Sequence, residues 1–230
     1  MGGKKISEKD GRADLIRQME GDYKGKDVTE IICIIDRSGS MESIRSDAIG
    51  GFNRFLADQQ APKDPARLTM VLFDDQYDII YNGTDIHTVK PLTTSTFVPR
   101  GTTALLDAVG KTLNMVSARL VEIPTEARPE KIIVAILTDG HENASKEFSL
   151  SVIREMITHY TNDLNWDFIY LAATQDAFSE AGQMGIPADN TVQCTADNAG
   201  ICNSYSSISN AIEMKRKYNN IKSWKDMDKK

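Results

Sequence analysis

Apolar and polar residues alternate along the chain in blocks that predict strands separated by helices. Residues 31–35 are apolar at every position, and residues 68–73 and 131–137 are nearly so. Continuous apolar runs of this length are typical of strands buried on both faces of a parallel sheet. Between them, apolar residues recur at spacings of three and four, which is the pattern of amphipathic helices. The alternation predicts an α/β fold with a mostly parallel sheet and helices on both faces.

Shorter segments complete the predicted order of elements. Residues 77–81 are expected to form an antiparallel edge strand that returns along 68–73. Asp74 and Asp75 lie in the turn between them, where Asp is expected for turn reasons alone. The remaining predictions are strands at 167–173 and 190–194 and helices at 40–60, 104–116, 148–160, 176–184 and 199–217.

Both ends of the chain are polar. Residues 1–27 are predicted to be a flexible N-terminal extension, in which residues 13–20 could form two helical turns. Residues 218–230 are predicted to be a solvated C-terminal tail. The folded domain is therefore expected to span residues 28–217.

The composition is that of a soluble globular protein, and it excludes several classes of function. Of the 230 residues, 40% are hydrophobic and 26% are charged, which suits one α/β domain with a full core. The net charge of −6 argues against non-specific binding of nucleic acid, which needs a basic surface. No apolar stretch approaches the ~20 residues of a membrane span, and the N-terminus lacks the apolar core of a signal peptide. Three scattered cysteines do not form a disulfide framework. We therefore expect a cytoplasmic protein whose partners are neither nucleic acids nor membranes.

Side chains that carry oxygen atoms follow two of the predicted strands at the point where each strand ends. Asp36, Ser38 and Ser40 stand at alternate positions after the first strand. Asp139 follows a later strand, and residues 100–108 between them form a Gly-Thr loop that opens a helical pattern. In open α/β sheets, ligands bind at the carboxyl ends of the strands. Small oxygen ligands crowded at such an edge suit a hard cation such as Mg2+ or Ca2+.

Taken in order, these segments resemble the metal-ion-dependent adhesion site of the von Willebrand factor A family. The chain offers DRSGSM, PRGTTALLDA and ILTDG. The family pattern is Asp-x-Ser-x-Ser, then a Thr in a Gly-Thr loop, then an Asp at the end of a later strand. Thr103 matches the loop Thr, with Thr102 as the alternative register. The metal ligands that the resemblance implies are Asp36, Ser38, Ser40, Thr103 and Asp139.

The resemblance also implies a fold and a function. The fold would be a Rossmann-like three-layer domain whose central sheet has one antiparallel edge strand, in a stand-alone member of prokaryotic or phage type. The function would be metal-dependent binding of a protein, with one coordination position of Mg2+ (or of Mn2+ or Ca2+) left open for an Asp or Glu of the partner. Neutral hydroxyl ligands leave the cation electron-poor, which favours an incoming carboxylate. Family members often serve ATPase or regulatory complexes, so a partner in such a complex is one expectation.

A first alternative needs no metal. Ser38 and Ser40 could cap the following helix, and Asp139 could belong to an ordinary turn. The chain would then be a metal-free structural or regulatory protein.

A second alternative is a metal-dependent hydrolase or phosphotransfer enzyme that uses Asp36 and Asp139. It requires a general base or nucleophile near the cation, and only His141 or Glu142 could qualify. The motifs of aspartyl-phosphate phosphatases, serine hydrolases and P-loop enzymes are absent from the sequence. We therefore expect binding without catalysis, with His141 and Glu142 on the rim that meets the partner.

Overall fold

A six-stranded sheet forms the centre of the computed structural model, which describes residues 27–194 and 198–218. The strand order is β3-β2-β1-β4-β5-β6, and every neighbouring pair is parallel except β2 and β3. This architecture confirms the predicted mostly parallel sheet with one antiparallel edge strand. The strands are β1 (Thr29–Asp36), β2 (Ala66–Phe73), β3 (Tyr77–Asp85), β4 (Lys131–Thr138), β5 (Asp167–Ala172) and β6 (Thr191–Gln193).

Five α-helices of the described residues cover the sheet. A 3-10 turn at Gly39–Ile44 precedes the first helix, so the regular α-helix begins five residues after Ser40, where we predicted its start. The other predicted helices are present, with ends shifted by a few residues. The helices are α1 (Arg45–Gln60), α2 (Leu105–Val121), α3 (Leu150–Leu164), α4 (Ala177–Gln183) and α5 (Asn198–Tyr218).

The central strand β1 divides the core into two apolar layers because successive side chains of a strand point to opposite faces. Ile31, Cys33 and Ile35 belong to the layer formed with α1 and α5. Ile32 and Ile34 belong to the layer formed with α2, α3 and α4. Burial raises the pKa of the Cys33 thiol to about 12, so this thiol stays protonated and inert in the core. The layers explain why the 31–35 run is apolar at every position.

The structure describes almost none of the predicted extension (residues 1–27) and tail (residues 218–230). Only residues 27 and 218 of these two segments lie within the described ranges. The elements that are described run from Thr29 to Tyr218, with a gap at 195–197. Among the described helices, none combines the length and the apolar character needed to cross a bilayer.

Candidate metal centre

The predicted site lies where the chain reverses its direction across the sheet. From β1 the chain adds β2 and β3 on one side, and β4 then pairs with β1 on the other side. Crevices for ligands form at such switch points, outside the carboxyl ends of the strands. Because β1 and β4 are parallel neighbours, Asp36 at the end of β1 and Asp139 just after β4 lie at the same edge.

Asp36 is fully buried and lies at the bottom of the site. Its Oδ1 accepts a hydrogen bond from the Ser38 backbone N–H at 2.6 Å, and its Oδ2 accepts one from the Thr138 hydroxyl, also at 2.6 Å. Burial raises the pKa of the Asp36 carboxyl to about 6, although these hydrogen bonds oppose the shift. A nearby cation would favour the charged form of Asp36 and so offset the cost of its burial.

The two serines and Asp139 form a continuous row of oxygen atoms above Asp36. The Ser38 and Ser40 hydroxyls lie 3.1 Å apart, and the Ser40 hydroxyl donates to Asp139 Oδ1 at 2.7 Å. Ser38 stands at the N-cap position of the 3-10 turn, but its side chain makes no capping hydrogen bond, so the expected role of its hydroxyl as a cap is wrong. Burial raises the pKa of Asp139 above its ordinary value, against the hydrogen bond from Ser40.

Thr103 completes this row from the other loop. A Cβ atom built on Gly140 would lie 3.3 Å from Thr103 Oγ1 and 3.6 Å from Ser40 Oγ. The two hydroxyls therefore face the same small space, which stays open because residue 140 is a glycine. Thr103 is buried and Thr102 is exposed, which supports the Thr103 register.

Backbone hydrogen bonds fasten the Gly-Thr loop to the end of β1. The Arg100 N–H donates to the Arg37 carbonyl at 2.9 Å, and the Gly39 N–H donates to the Gly101 carbonyl at 3.2 Å. Gly101 has a φ of 66°, in the left-handed region, and a Cβ atom there would lie 2.0 Å from Asp75 Oδ1. The backbone conformation thus favours glycine at this position, and a Cβ atom there would also displace the exposed Asp75 side chain.

A cluster of charged residues that the sequence did not predict, Asp74 with Arg37 and Arg100, holds the Gly-Thr loop against the end of β1. Asp74 is fully buried, and its Oδ2 accepts hydrogen bonds from Arg37 Nε at 3.0 Å and Arg100 Nε at 2.8 Å. Its Oδ1 accepts from the Gln76 N–H, and its carbonyl accepts from the Ala104 N–H. The prediction that Asp74 serves only the turn was therefore wrong. Asp74 also bonds Arg37, which lies between Asp36 and Ser38, and it bonds Arg100 and Ala104, which lie on either side of Thr103.

The two residues predicted for the rim lie in different surroundings. His141 is exposed, and its Nδ1 lies 2.5 Å from Glu180 Oε1. Glu142 is only half-exposed, and its carboxylate accepts hydrogen bonds from backbone N–H groups, including that of Leu106. His141 thus stands where a partner could reach it, whereas the Glu142 carboxylate is already engaged.

Three of the five predicted ligands, Ser38, Ser40 and Asp139, have oxygen–oxygen distances that are compatible with a small cation shell. An octahedron of oxygens at about 2.1 Å from Mg2+ has edges of about 3.0 Å. The distances of 3.1 Å and 2.7 Å between neighbouring oxygens are close to that edge. In the described part of the chain, no three His, Cys, Asp or Glu side chains are grouped so as to hold a metal. A cation here would therefore depend on the hydroxyls, which fit it.

No protein-family model matches the sequence, and no curated protein matches it either. Solved structures do match. One is proximal thread matrix protein 1 from the mussel byssus, at a TM-score of 0.55 and 16% identity over 81% of this chain and 46% of the mussel chain. A further structure of the mussel protein has a zinc-occupied MIDAS motif, the metal-ion-dependent adhesion site.

Two other structures extend the comparison. The vWF domain of the type V pili tip protein Mfa5 from Porphyromonas gingivalis matches at a TM-score of 0.62 and 10% identity, over 86% of this chain and 98% of that domain. Manganese-loaded TRAP protein from Plasmodium vivax matches at a TM-score of 0.51 and 15% identity, over 78% of this chain and 73% of that protein. These likenesses show that the chain has the von Willebrand factor A fold. The chain spans less than half the length of the mussel protein.

Proposed function

We propose that this chain, which has the von Willebrand factor A fold, is a metal-dependent module that binds a carboxylate of a protein partner. The observation that carries the proposal is the convergence of oxygen donors from three separate segments at one edge of the sheet. The residues that would hold the cation are Asp36, Ser38, Ser40, Thr103 and Asp139.

Each donor would contribute differently. Asp36 and Asp139 supply negative charge, while Ser38, Ser40 and Thr103 supply neutral oxygens. When bound, the cation would supply an electron-poor centre that attracts a carboxylate. Mg2+, whose oxygen ligands lie at about 2.0–2.1 Å, is the cation we expect, with Mn2+ or the larger Ca2+, at about 2.3–2.6 Å, as alternatives.

The accessibility of the site suits a partner that arrives from solvent. Asp36 and Thr103 are buried at the base, whereas Ser40 is exposed and Asp139 is half-exposed. A side chain from another protein could thus approach from the Ser40 side without any change in the core. His141 stands next to this opening and is suited to contact the partner.

The surroundings of one of the two candidate bases favour binding over catalysis. His141, the first candidate base, pairs with Glu180 through Nδ1, a contact that an oriented general base also makes, so it does not separate the two functions. Glu142, the second, accepts hydrogen bonds from the backbone N–H groups of Leu106, Ala144 and Ser145. A carboxylate held in this way is poorly placed to accept a proton from a substrate. A partner in an ATPase or regulatory complex, and a cytoplasmic location, remain expectations from the sequence.

The proposal is tested by affinity capture with the full chain as bait. Wild-type protein should retain a partner in millimolar Mg2+ and release it in EDTA, and Asp36→Ala bait should retain nothing. Asp163→Ala is the matched control because Asp163 is an exposed carboxylate at the far end of α3. The captured protein should in turn lose binding when one of its own Asp or Glu residues is changed to the amide.

Two results would contradict the proposal. Capture that survives both EDTA and Asp36→Ala would show that the partner docks elsewhere. Metal-dependent turnover of generic phosphate or ester substrates that disappears in His141→Ala would favour the enzyme instead.

A further inference from the structure

Helix α2, which follows Thr103, begins without a cap of its own. Ala104 precedes the helix and has no side-chain oxygen to accept from the first free N–H groups. Two of those groups are satisfied from the loop between β4 and α3. The Leu106 N–H donates to Glu142 Oε2 at 2.9 Å, and the Asp107 N–H donates to the Ser145 hydroxyl at 3.0 Å. The loop that carries Asp139 therefore caps the helix that follows Thr103.

Glu142 is the centre of this arrangement. Its Oε1 accepts from the backbone N–H groups of Ala144 at 2.9 Å and Ser145 at 2.7 Å. Its Oε2 accepts from the Ser145 hydroxyl at 2.7 Å in addition to the Leu106 N–H. An ionised carboxylate only accepts hydrogen bonds, so it matches four donors without conflict. A negative charge at a helix N-terminus is also favourable.

The neighbouring residue Asn143 joins the same loop to Thr103 itself. The Thr103 N–H donates to Asn143 Oδ1 at 3.0 Å. The Thr103 carbonyl accepts from the backbone N–H groups of Asn143 at 3.0 Å and Ala144 at 3.2 Å. Both backbone groups of Thr103 are thus paired with the segment that directly follows Asp139. The loops that carry these two ligands are held together as one unit.

We propose that Glu142 is a positioning residue that fixes Thr103 relative to Asp139 and thereby sets the preference of the site for a small cation. The inference rests on the proposed metal site. Groups that orient metal ligands commonly govern metal affinity. Mg2+ demands a nearly regular shell of short bonds, whereas Ca2+ accepts a larger and more variable one. A loosened Thr103 loop should therefore cost Mg2+ more than Ca2+.

Asp107, in the first turn of helix α2, provides a matched control that contacts the same loop. Its carboxylate accepts from the backbone N–H groups of Lys146, Glu147 and Phe148, each at 2.9 Å. Burial alone would raise its pKa, but these three hydrogen bonds outweigh it and lower the pKa below the ordinary value. Asp107 thus anchors the loop with the same chemistry as Glu142, but at its end away from Asp139.

The experiment compares Glu142→Gln with Asp107→Asn in the full chain. Titration calorimetry on metal-stripped protein gives the affinities for Mg2+ and Ca2+, and thermal unfolding in EDTA gives the stability. Both variants should unfold at a lower temperature than wild type. Only Glu142→Gln should weaken Mg2+ binding by about tenfold or more, and only in this variant should the ratio of Mg2+ to Ca2+ affinity fall. Hydrogen exchange in metal-free protein should be faster at Leu106 in Glu142→Gln alone.

The outcomes separate this inference from the proposed function. Wild-type Mg2+ affinity in Glu142→Gln, or an equal loss in Asp107→Asn, would overturn the inference. If Glu142→Gln does not fold, Asn143→Ala replaces it, since it removes only the acceptor of the Thr103 N–H. Unchanged Mg2+ affinity there would be equally decisive against the inference. A wild-type chain that binds Mg2+ but captures no partner overturns the proposed function alone, and one that binds no Mg2+ overturns both.

Discussion

Replacing Asp74 with alanine would leave the Arg37 guanidinium buried beneath the site without its main partner. Asp74 is 0% exposed, and it accepts from Arg37 Nε at 3.0 Å and Arg100 Nε at 2.8 Å. Arg37 is itself 5% exposed, so water cannot replace the lost carboxylate. Arg100 is 44% exposed along its side chain and can return to solvent at little cost.

The size of the loss follows from this difference in burial. Removing one partner of a buried ion pair typically costs about 3–5 kcal/mol when the other charge is left buried and uncompensated. Arg37 keeps its contact with the half-exposed Asp78, so this range is the upper bound of the expected loss. We assign this loss to Arg37 alone and expect almost none from Arg100. For a domain of this size, a loss of that order lowers the unfolding temperature by about 6–20 °C. It would remove a large share of a typical stability of about 5–15 kcal/mol.

Asp78→Ala is the matched control for this prediction. Asp78 contacts the same two arginines, Arg37 and Arg100, but its side chain is 46% exposed. Exposed ion pairs contribute about 0–1 kcal/mol, so Asp78→Ala should change the free energy of unfolding by no more than that. Urea unfolding in EDTA, followed by circular dichroism, measures both variants. Equal losses in the two variants, or a loss below about 1 kcal/mol in Asp74→Ala, would refute the argument from burial.

Three further predictions concern the metal site. Mg2+ at a hundred times its dissociation constant should stabilise the wild-type chain by about 2.7 kcal/mol in thermal unfolding, and Asp139→Ala should abolish that gain. A wild-type unfolding curve that is the same with and without Mg2+ would count against the site. Ser38→Ala should weaken Mg2+ binding in calorimetry, and in EDTA it should lower the free energy of unfolding by less than about 1–2 kcal/mol. A variant that is unfolded in EDTA would show that Ser38 has a structural role instead. Gly140→Ala places a methyl group 3.3 Å from Thr103 Oγ1 and 3.6 Å from Ser40 Oγ. It should reduce Mg2+ affinity more than it reduces metal-free stability, and normal affinity would show that the space beside Gly140 is not used.

Local patterns in the sequence were sufficient to predict most of the fold. The apolar run at 31–35 predicted a strand buried on both faces, and β1 has that position in the sheet. The end of β3 was missed because Asn82-Gly83 is typical of a turn. The strand instead continues to Asp85, with shifts of register between β2 and β3 and a φ of 64° at Gly83.

The candidate site was predictable only as far as its residues follow strand ends. Four of the five predicted ligands lie at or just after the end of β1 or β4, whose positions follow from apolar runs, whereas Thr103 precedes α2 and was indicated only by the family resemblance. The roles of Asp74 and Glu142 were not visible, because each depends on partners that are distant in the sequence. Arg37 lies 37 residues before Asp74, and Leu106 lies 36 residues before Glu142. Local periodicity carries no information about such pairs, and both acids resembled ordinary loop residues.

The separation of the site's residues along the chain also bears on how the protein folds. The Ser40–Asp139 hydrogen bond joins residues 99 positions apart, and the Thr138–Asp36 bond joins residues 102 apart. The site is complete only when β1 and β4 are paired and the Gly-Thr loop is docked against both, so we expect its contacts to form late in folding. Interactions that are absent from the folding transition state slow unfolding and leave the folding rate unchanged. Stopped-flow kinetics should therefore show that Mg2+ acts on the unfolding limb alone, so that the cation prolongs the life of the native state without helping the chain to reach it.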